Sequence, residues 1–566
     1  MSTRTPVSTS RNRRVVVSTS SAALLVLAVA WAGCSDDTGT GASTSTSNGG
    51  GDSGGGGSSF NGGGGSGAEG GGSESGCPIY TTLCDGVCIP TSVDPNNCGD
   101  CGVICEGDLA CSAGACSDTC LPGQTACDNS CVDVLTNNDH CGGCDMPCPE
   151  GEGCANGDCV PAVITADPPR DCGNGGPPIV IGDTPSSCTA MTAFTWAICS
   201  CDDAVFSSTL LTDAYDSSAG PYQAPGELGA GVGTNGRFTT SSPADISGAL
   251  WSSDATGVGL SNDLAVGLEL HSGGKYNSSA PGTVGADAFI NGDVSTPQTL
   301  AITGDLHVPT GADVDDGVTY ASLVNEPVDV PPPCACDPAQ LLDIAGIVAT
   351  RATNNDNALI GLDPAVTTNP SEAIRIDLYC GHYYLDEISG SHDVTIVAHG
   401  NTALYIGGDV QLSQALNITV DPGYSLDVLI AGHLSVSSGS AFGSPNYPAM
   451  TRVYIGGTGG FGMSAGSLFG AFFWAGHGPV TTSGGTEIFG GVFAGDLQAS
   501  AGVTVHYDLA VQSLDDDCDD PPGGCDSCMD CGNQACVNGE CGECTDSSQC
   551  CAPLVCVNGQ CLPTPE

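Results

Sequence analysis

Between Cys77 and Cys159 lie sixteen cysteines in two sets of eight, and the second set repeats the first at an offset of 43 residues. The first set is Cys77, Cys84, Cys88, Cys98, Cys101, Cys105, Cys111 and Cys116. The second is Cys120, Cys127, Cys131, Cys141, Cys144, Cys148, Cys154 and Cys159. A repeat this short, with hardly an apolar side chain to spare, cannot bury a core of its own and needs covalent staples. Eight cysteines per repeat allow four disulfides, and spacing alone leaves the pairing open. The whole chain has 35 cysteines in 566 residues, a density that places it in an oxidising space outside the cytosol. The Cys-x-x-Cys steps Cys98/Cys101 and Cys141/Cys144 would suit zinc in a reducing compartment; in an oxidising one they read as disulfide partners. Matching glycines, Gly99/Gly142 and Gly114/Gly157, mark turns. A Cys-x-x-Gly-x-Cys unit at Cys111–Cys116 and Cys154–Cys159 returns at Cys536–Cys541 and Cys556–Cys561.

The N-terminus agrees with export. Arg11 to Arg14 supply a basic n-region, Ala22 to Trp31 an apolar h-region, and Ala32-Gly33-Cys34 follows. Residues 1–33 read as a signal peptide, too short and one-sided for an ordinary spanning helix. The small pair before Cys34 resembles a bacterial lipobox, although Trp31 stands where Leu is usual. The resemblance implies a diacylated Cys34 as the mature N-terminus, and Ser35 permits transport onward to the outer membrane. The alternative is a plain cleavage site and secretion. From Ser35 to Gly76 the chain is Gly, Ser, Thr, Asn and Asp, a composition that makes a flexible tether.

The cysteine repeats, 77–116 and 120–159, resemble the stigma-specific Stig1-like family, whose core reads Asn-Cys-Gly-x-Cys-Gly-x-x-Cys. Here that core stands at Asn97 to Cys105; the second copy, His140 to Cys148, lacks the Asn and the second Gly. Multi-copy chains of this kind occur among surface lipoproteins of myxobacteria. Some of them carry the name tryptophan synthase alpha chain, an enzyme that is a cytosolic (β/α)8 barrel. Nothing in this chain alternates strand and helix in that way.

From Pro161 to Leu514 cysteines thin out and β-branched residues rise. A short signature recurs: Ile or Phe, any residue, Gly, Asp or His, then Val or Leu. It stands at Ile290–Val294, Ile302–Leu306, Ile406–Val410, Ile430–Leu434 and Phe493–Leu497. Short strands punctuated by glycine corners point to stacked coils. The fold expected is mainly β, a β-solenoid-like centre (161–514) flanked by small disulfide-rich modules, with a β-sandwich as the alternative. The flanking apolar residues should face inward and the corner residue water. Strands are expected at Val394–Ala398, Ala403–Ile406, Leu426–Ile430, Arg452–Ile455 and Val503–His506. One short helix is expected near 337–351, capped by Asp337, with Leu341, Ile344, Ala345 and Val348 on one face. The stretch from Ile488 to Asp508, ending Val505-His506-Tyr507-Asp508, resembles a β-rich domain of unknown function. That domain closes some PilX-like, pilus-associated bacterial proteins and ends in Ile-His-Tyr-Asp. Residues 515–566 form a third cysteine-rich module.

Charge narrows the partners. There are 64 acids and 10 bases, and four of the bases precede Cys34. Nucleic acids and anionic headgroups need clustered Lys or Arg and are excluded as partners. Candidate chemistry is sparse. Gly462-Met-Ser464-Ala-Gly466 matches a nucleophile-elbow string but lacks a strand-turn-helix context. His382, His392 and His399 lie near Asp386, Glu387 and Asp393, a set that either binds metal or is scattered over the surface. Asp313-Val-Asp315-Asp316 and Asp515 to Asp517 are compatible with calcium or with solvated turns. A polysaccharide lyase needs a base beside an acidic calcium site; Arg237, Lys275, Arg351, Arg375 and Arg452 have no acidic cluster attached in sequence. The expectation is no catalytic residue, no metal and no cofactor, calcium aside. The expected role is a lipid-anchored outer-membrane surface protein binding a glycan or a cell-surface protein. The alternatives are a secreted β-helical polysaccharide hydrolase or lyase, and a calcium-dependent binder.

Overall fold

The computed structural model describes residues 81–84, 87–107, 109–121, 123–127, 129–163, 179–181, 184–339 and 341–514, with the backbone of four short strands between Ala535 and Pro563. Cys34, the tether, Cys77 and Asp515 to Asp517 lie outside these residues.

Thirty-three strands form one continuous parallel sheet wound as a three-faced solenoid. Each coil places three short strands on three faces, and each strand pairs with its counterpart one coil on. On one face, called here the module face, Ile374–Leu378 pairs with Val394–Ala398 and that strand with Leu416–Val420. On the helix face, Gly381–Leu385 pairs with Thr402–Ile406 and then Leu426–Ile430. On the open face, Ile388–Gly390 pairs with Val410–Leu412 and then Leu434–Ser435. Alternation explains the packing: Thr402, Leu404 and Ile406 point into the coil and are fully buried.

The solenoid is assembled out of chain order. The strands of the first coil in sequence, Ile198–Ser200, Ala204–Phe206 and Leu210–Tyr215, sit in mid-rod. On one side they pair with Val232–Thr234, Phe238–Thr240 and Ala244–Ile246, the next coil in sequence. On the other they pair with Thr486–Ala499 and Val503–Asp508, the last strands of the sheet. Residues 374–508 therefore form one half, residues 198–325 the other, and a seam joins the last coil to the first.

Between the halves the chain returns along the helix face. Trp251 Nε1 donates to Pro331 O and Trp196 Nε1 to Pro333 O. Cys199–Cys334 and Cys201–Cys336 then fasten the return to mid-rod, so the two Cys-x-Cys-Asp echoes pair with each other. The helix that follows is Ile344–Arg351, not 337–351: Asp343 caps it, accepting from Gly346 N at 2.9 Å. Asp337 instead closes a turn through Ala339 N, next to the anchored Cys336. Ile344 and Val348 are buried against the solenoid and Ile347 packs beside them, but Ala345 is exposed, on the side turned from the sheet. Helices Ser186–Ala193 and Asn357–Ile360 lack the apolar periodicity that would announce them.

Corner residues do more than face water. Asp293 Oδ1 accepts from Asp313 N, Asp393 Oδ1 from Ala415 N and Asp409 Oδ1 from His433 N, each on the following coil. All five corner signatures bury both apolar flanks. The fifth does so differently: Phe493 pairs with Cys199 and stacks on Trp474. Its coil is one residue shorter at that corner, so Ala494 faces inward in its place.

The second cysteine module is closed by Cys120–Cys131, Cys127–Cys144, Cys141–Cys154 and Cys148–Cys159. The first repeats three of these links at Cys84–Cys101, Cys98–Cys111 and Cys105–Cys116. The members of each Cys-x-x-Cys step thus belong to different disulfides, which leaves no thiolate for zinc among these described pairs. Cys188 and Cys380 are also oxidised.

Candidate functional site

The second module lies on the outermost strand of the module face. Val163 N donates to Arg375 O at 3.0 Å, and the Arg375 side chain carries the join. Its Nη1 donates to Thr136 O and Cys154 O of the module; its Nε and Nη2 clasp Asp377 at 2.8–3.2 Å. Gly153 is required there, since a Cβ would meet Arg375 Cδ at 2.4 Å. Asn156 of the module donates to Asp393 of the solenoid and accepts from Asn417. Two of the bases, which carry no acidic cluster in sequence, each hold a single carboxylate: Arg375 holds Asp377, and Arg452 clasps Asp427 at 2.6 and 2.9 Å. The partners stand two residues away or one coil away, a proximity set by winding.

His399 continues the charge chain. Its Nε2 lies 2.8 Å from Asp377 and its Nδ1 2.7 Å from Asp421. Burial alone would lower its pKa, but the two carboxylates outweigh burial and lift it to about 9. Burial would raise Asp377; His399 and Arg375 reverse that and hold it below the ordinary carboxylate range. A charge-paired imidazolium with both nitrogens engaged is a strut and a poor general base.

The three histidines near residue 390 do not converge. His382 Nδ1 bonds Tyr405 Oη, and His392 Nδ1 bonds Pro370 O. Ser464 donates to Val436 O beyond a short strand, with no helix following. Asp315 accepts from Thr296 N and Asp313 N donates to Asp293, so this pair splices coils. On the helix face of the 198–325 half, Trp251, His271, Phe289 and His307 stack with centroids 3.7, 4.6 and 4.3 Å apart. Their ring faces cover one another, leaving edges outward, so the ladder braces the coils rather than offering a stacking platform.

Between the cysteine modules and the solenoid runs a polar cleft. Three cavities of about 410, 510 and 280 Å³ all meet at Gln124 and Tyr447. One arm is lined by Thr82, Thr91 and Ser92 opposite Ser217 and Ser218. A second has Asp133, Asn137 and Asp139 opposite His399 and Asp421. A third has Asn156, Asn417 and Asn446. Tyr447 is the one aromatic among these lining residues. Gln124 Oε1 is shielded and accepts no hydrogen bond. Neither Gln124 nor Tyr447 stands out in the sequence, because the cleft exists only where module and rod meet.

Comparison with known proteins fits these two parts. The model of the stigma-specific STIG1-like protein family matches residues 66–119 and 115–200. A domain of unknown function, DUF7305, matches residues 338–514, which span the helical return and the 374–508 half of the solenoid. No curated protein and no solved structure matches significantly. The chain is thus similar to one family in its cysteine-rich modules and to another in half of its rod. The closing Val505-His506-Tyr507-Asp508 of the second match forms the seam. His506 Nδ1 meets Asp213, Tyr507 Oη donates to Phe194 O, and Asp508 accepts from Ser217 N and Oγ.

Proposed function

We propose that this chain is an exported, lipid-anchored surface protein of the outer membrane that serves as a rigid binding scaffold and catalyses no reaction. The observation that carries this reading is the fixed join between module and rod. Arg375, itself buried, binds two module carbonyls and a solenoid carboxylate at once, so the stapled modules are held against the coils with a polar cleft between. Two parallel disulfides, each bridging 135 residues, support an oxidising compartment. The lipobox-like Cys34 and the tether support display at a membrane surface. The likeness of residues 488–508 to a domain of pilus-associated proteins, and of the repeats to myxobacterial surface lipoproteins, supports the same setting. The acidity, 64 acids against 10 bases, points away from anionic partners. Two measurements test the reading together: membrane fractionation with surface proteolysis, and intact mass without reductant. A protein recovered in the membrane fraction, protease-accessible, acylated and free of thiols supports it. A cytosolic protein rich in free thiols, or one that turns over polysaccharide, overturns it.

A further inference from the structure

We propose that the first cysteine module docks a cysteine hairpin from the C-terminal module of a second copy of this chain, a head-to-tail contact at an empty strand edge. The inference goes beyond the scaffold reading and names a partner. Its basis is the way the two cysteine modules join each other. Each module opens with one hairpin: Thr82–Cys84 with Val87–Ile89 in the first, Thr125–Cys127 with Ser130–Val132 in the second. Each closes with another, built on the Cys-x-x-Gly-x-Cys unit: Ala110–Ser112 with Ala115–Ser117, and Glu152–Ala155 with Asp158–Pro161. The closing hairpin of the first module seats on the opening hairpin of the second. Cys111 stands opposite Ser130 in a parallel pairing, so four strands make one sheet. Cys111 N donates to Asn129 O at 2.9 Å, and Asn129 Nδ2 donates to Cys105 O at 3.3 Å. The closing hairpin of the second module is taken by the rod, where Cys154 O accepts from Arg375.

One seat is left over. The opening hairpin of the first module is a sheet of two strands, and no strand among the described residues extends it. Val87 stands at the position that Ser130 holds in the second module, and it is 62% exposed. An open strand edge is a template for another strand, since its outer N–H and C=O groups are still unpaired. Two hairpins are left over as well. Ala535–Val537 pairs with Glu540–Gly542, and Leu554–Val557 with Gln560–Pro563. They set Cys536 opposite Cys541 and Cys556 opposite Cys561, the register of Cys111 opposite Cys116. Within one chain each of them also stays a sheet of two strands among the described residues. A copy thus presents an empty seat together with the hairpin that fits it, and the two meet between copies. Such a contact uses different surfaces on the two partners, so it need not close and can build open rows of molecules. Each copy carries 64 acids against 10 bases, a mutual repulsion that the contact has to overcome.

The test uses the whole chain from residue 34 onward, disulfides intact, with Cys34→Ser so that no acyl chain drives association. It is run in about 0.3 M salt, where the repulsion between copies is screened. Weight-average mass from sedimentation should rise as the protein goes from about 1 to 200 µM, the range that suits a small interface. Val87→Glu sets a charge on the empty edge. It should weaken association by roughly tenfold or more and leave the thermal melt and the disulfide map unchanged. A photo-crosslinking residue in place of Val87 then identifies the occupant. It is read in an equal mixture of copies made with light and with heavy nitrogen. The expected product joins a light copy to a heavy one and lands within residues 535–563. Should Val87→Glu fail to fold, the mass series of the otherwise unaltered chain and the crosslink decide together. A mass that does not change with concentration, association of a folded Val87→Glu equal to that of the parent, or no crosslink within 535–563 overturns the proposal. So do crosslinks confined to single copies, which would mean that the hairpin seats on its own chain.

Discussion

His506 Nδ1 lies 2.5 Å from Asp213 Oδ1, across 293 residues of sequence. This contact closes the seam between the last coil and the first, and Glu487 reaches the other ring nitrogen at 3.1 Å. Burial would lower the His506 pKa, but Asp213 and Glu487 raise it. His399 is held in the same way, at about 9. A folded-state pKa above the unfolded one gives stability that is complete below about pH 6.5 and fades as pH climbs through the folded value. Thermal melts between pH 6 and 10 should therefore show a falling alkaline limb, worth of the order of 2–3 kcal/mol for His399. His399→Gln should be less stable than wild type at pH 6 and should flatten that limb. An unchanged limb in both His399→Gln and His506→Gln would refute the assignment.

Cys199–Cys334 and Cys201–Cys336 close the same long loop twice. The chain-entropy estimate for a loop of this length is roughly 5 kcal/mol, but it applies to closing the loop once. Removing either staple should therefore cost little, about 1 kcal/mol or less, and removing both should cost most of the total. Denaturant melts of Cys199→Ala/Cys334→Ala, of Cys201→Ala/Cys336→Ala and of the fourfold variant measure the interaction. Equal and additive losses would contradict the picture of redundant closure.

Gly142 has φ +74° and its Cβ would meet Gly157 O at 2.6 Å, so two constraints act at one position. Gly102 has φ +73° with open space around it, so one acts. Gly102→Ala should cost about 1 kcal/mol and keep native disulfides. Gly142→Ala should lower the yield of Cys141–Cys154 in peptide maps of refolded protein. Native maps from both variants would show that the close approach of Gly142 and Gly157 is dispensable.

Much of the rod is legible in the sequence. The strands Val394–Ala398 and Leu426–Ile430 coincide with their expected bounds, because each is a short, mostly apolar run between glycine corners. The seam is not legible, because solenoid coils are interchangeable in pattern and nothing local says that Val503 pairs with Leu210. The helix start slips from Asp337 to Asp343 since two aspartates compete as caps and the disulfide at Cys336, next to Asp337, decides between them. The cleft is hidden for a further reason. Gln124 and Tyr447 belong to separate pieces of chain and become neighbours only when Arg375 seats the module.

Arg452 and Asp427 form the most deeply buried ion pair described, with side chains 2% and 0% exposed. Arg452 also donates to Ala449 O and to Ser186 Oγ, tying the helix Ser186–Ala193 to the helix face. Desolvating two charges is expensive, so the pair gives little net stability over an apolar replacement, yet breaking it strands a charge. Arg452→Met should cost about 3–5 kcal/mol by leaving Asp427 unpaired, and Asp427→Leu should cost a similar amount. The double variant should recover much of the loss, a coupling of at least 2 kcal/mol in a double-mutant cycle by urea melts. Additive losses would mean that Asp427 finds another partner, and with it that Arg452 holds Ser186–Ala193 by its contact with Ser186 Oγ alone.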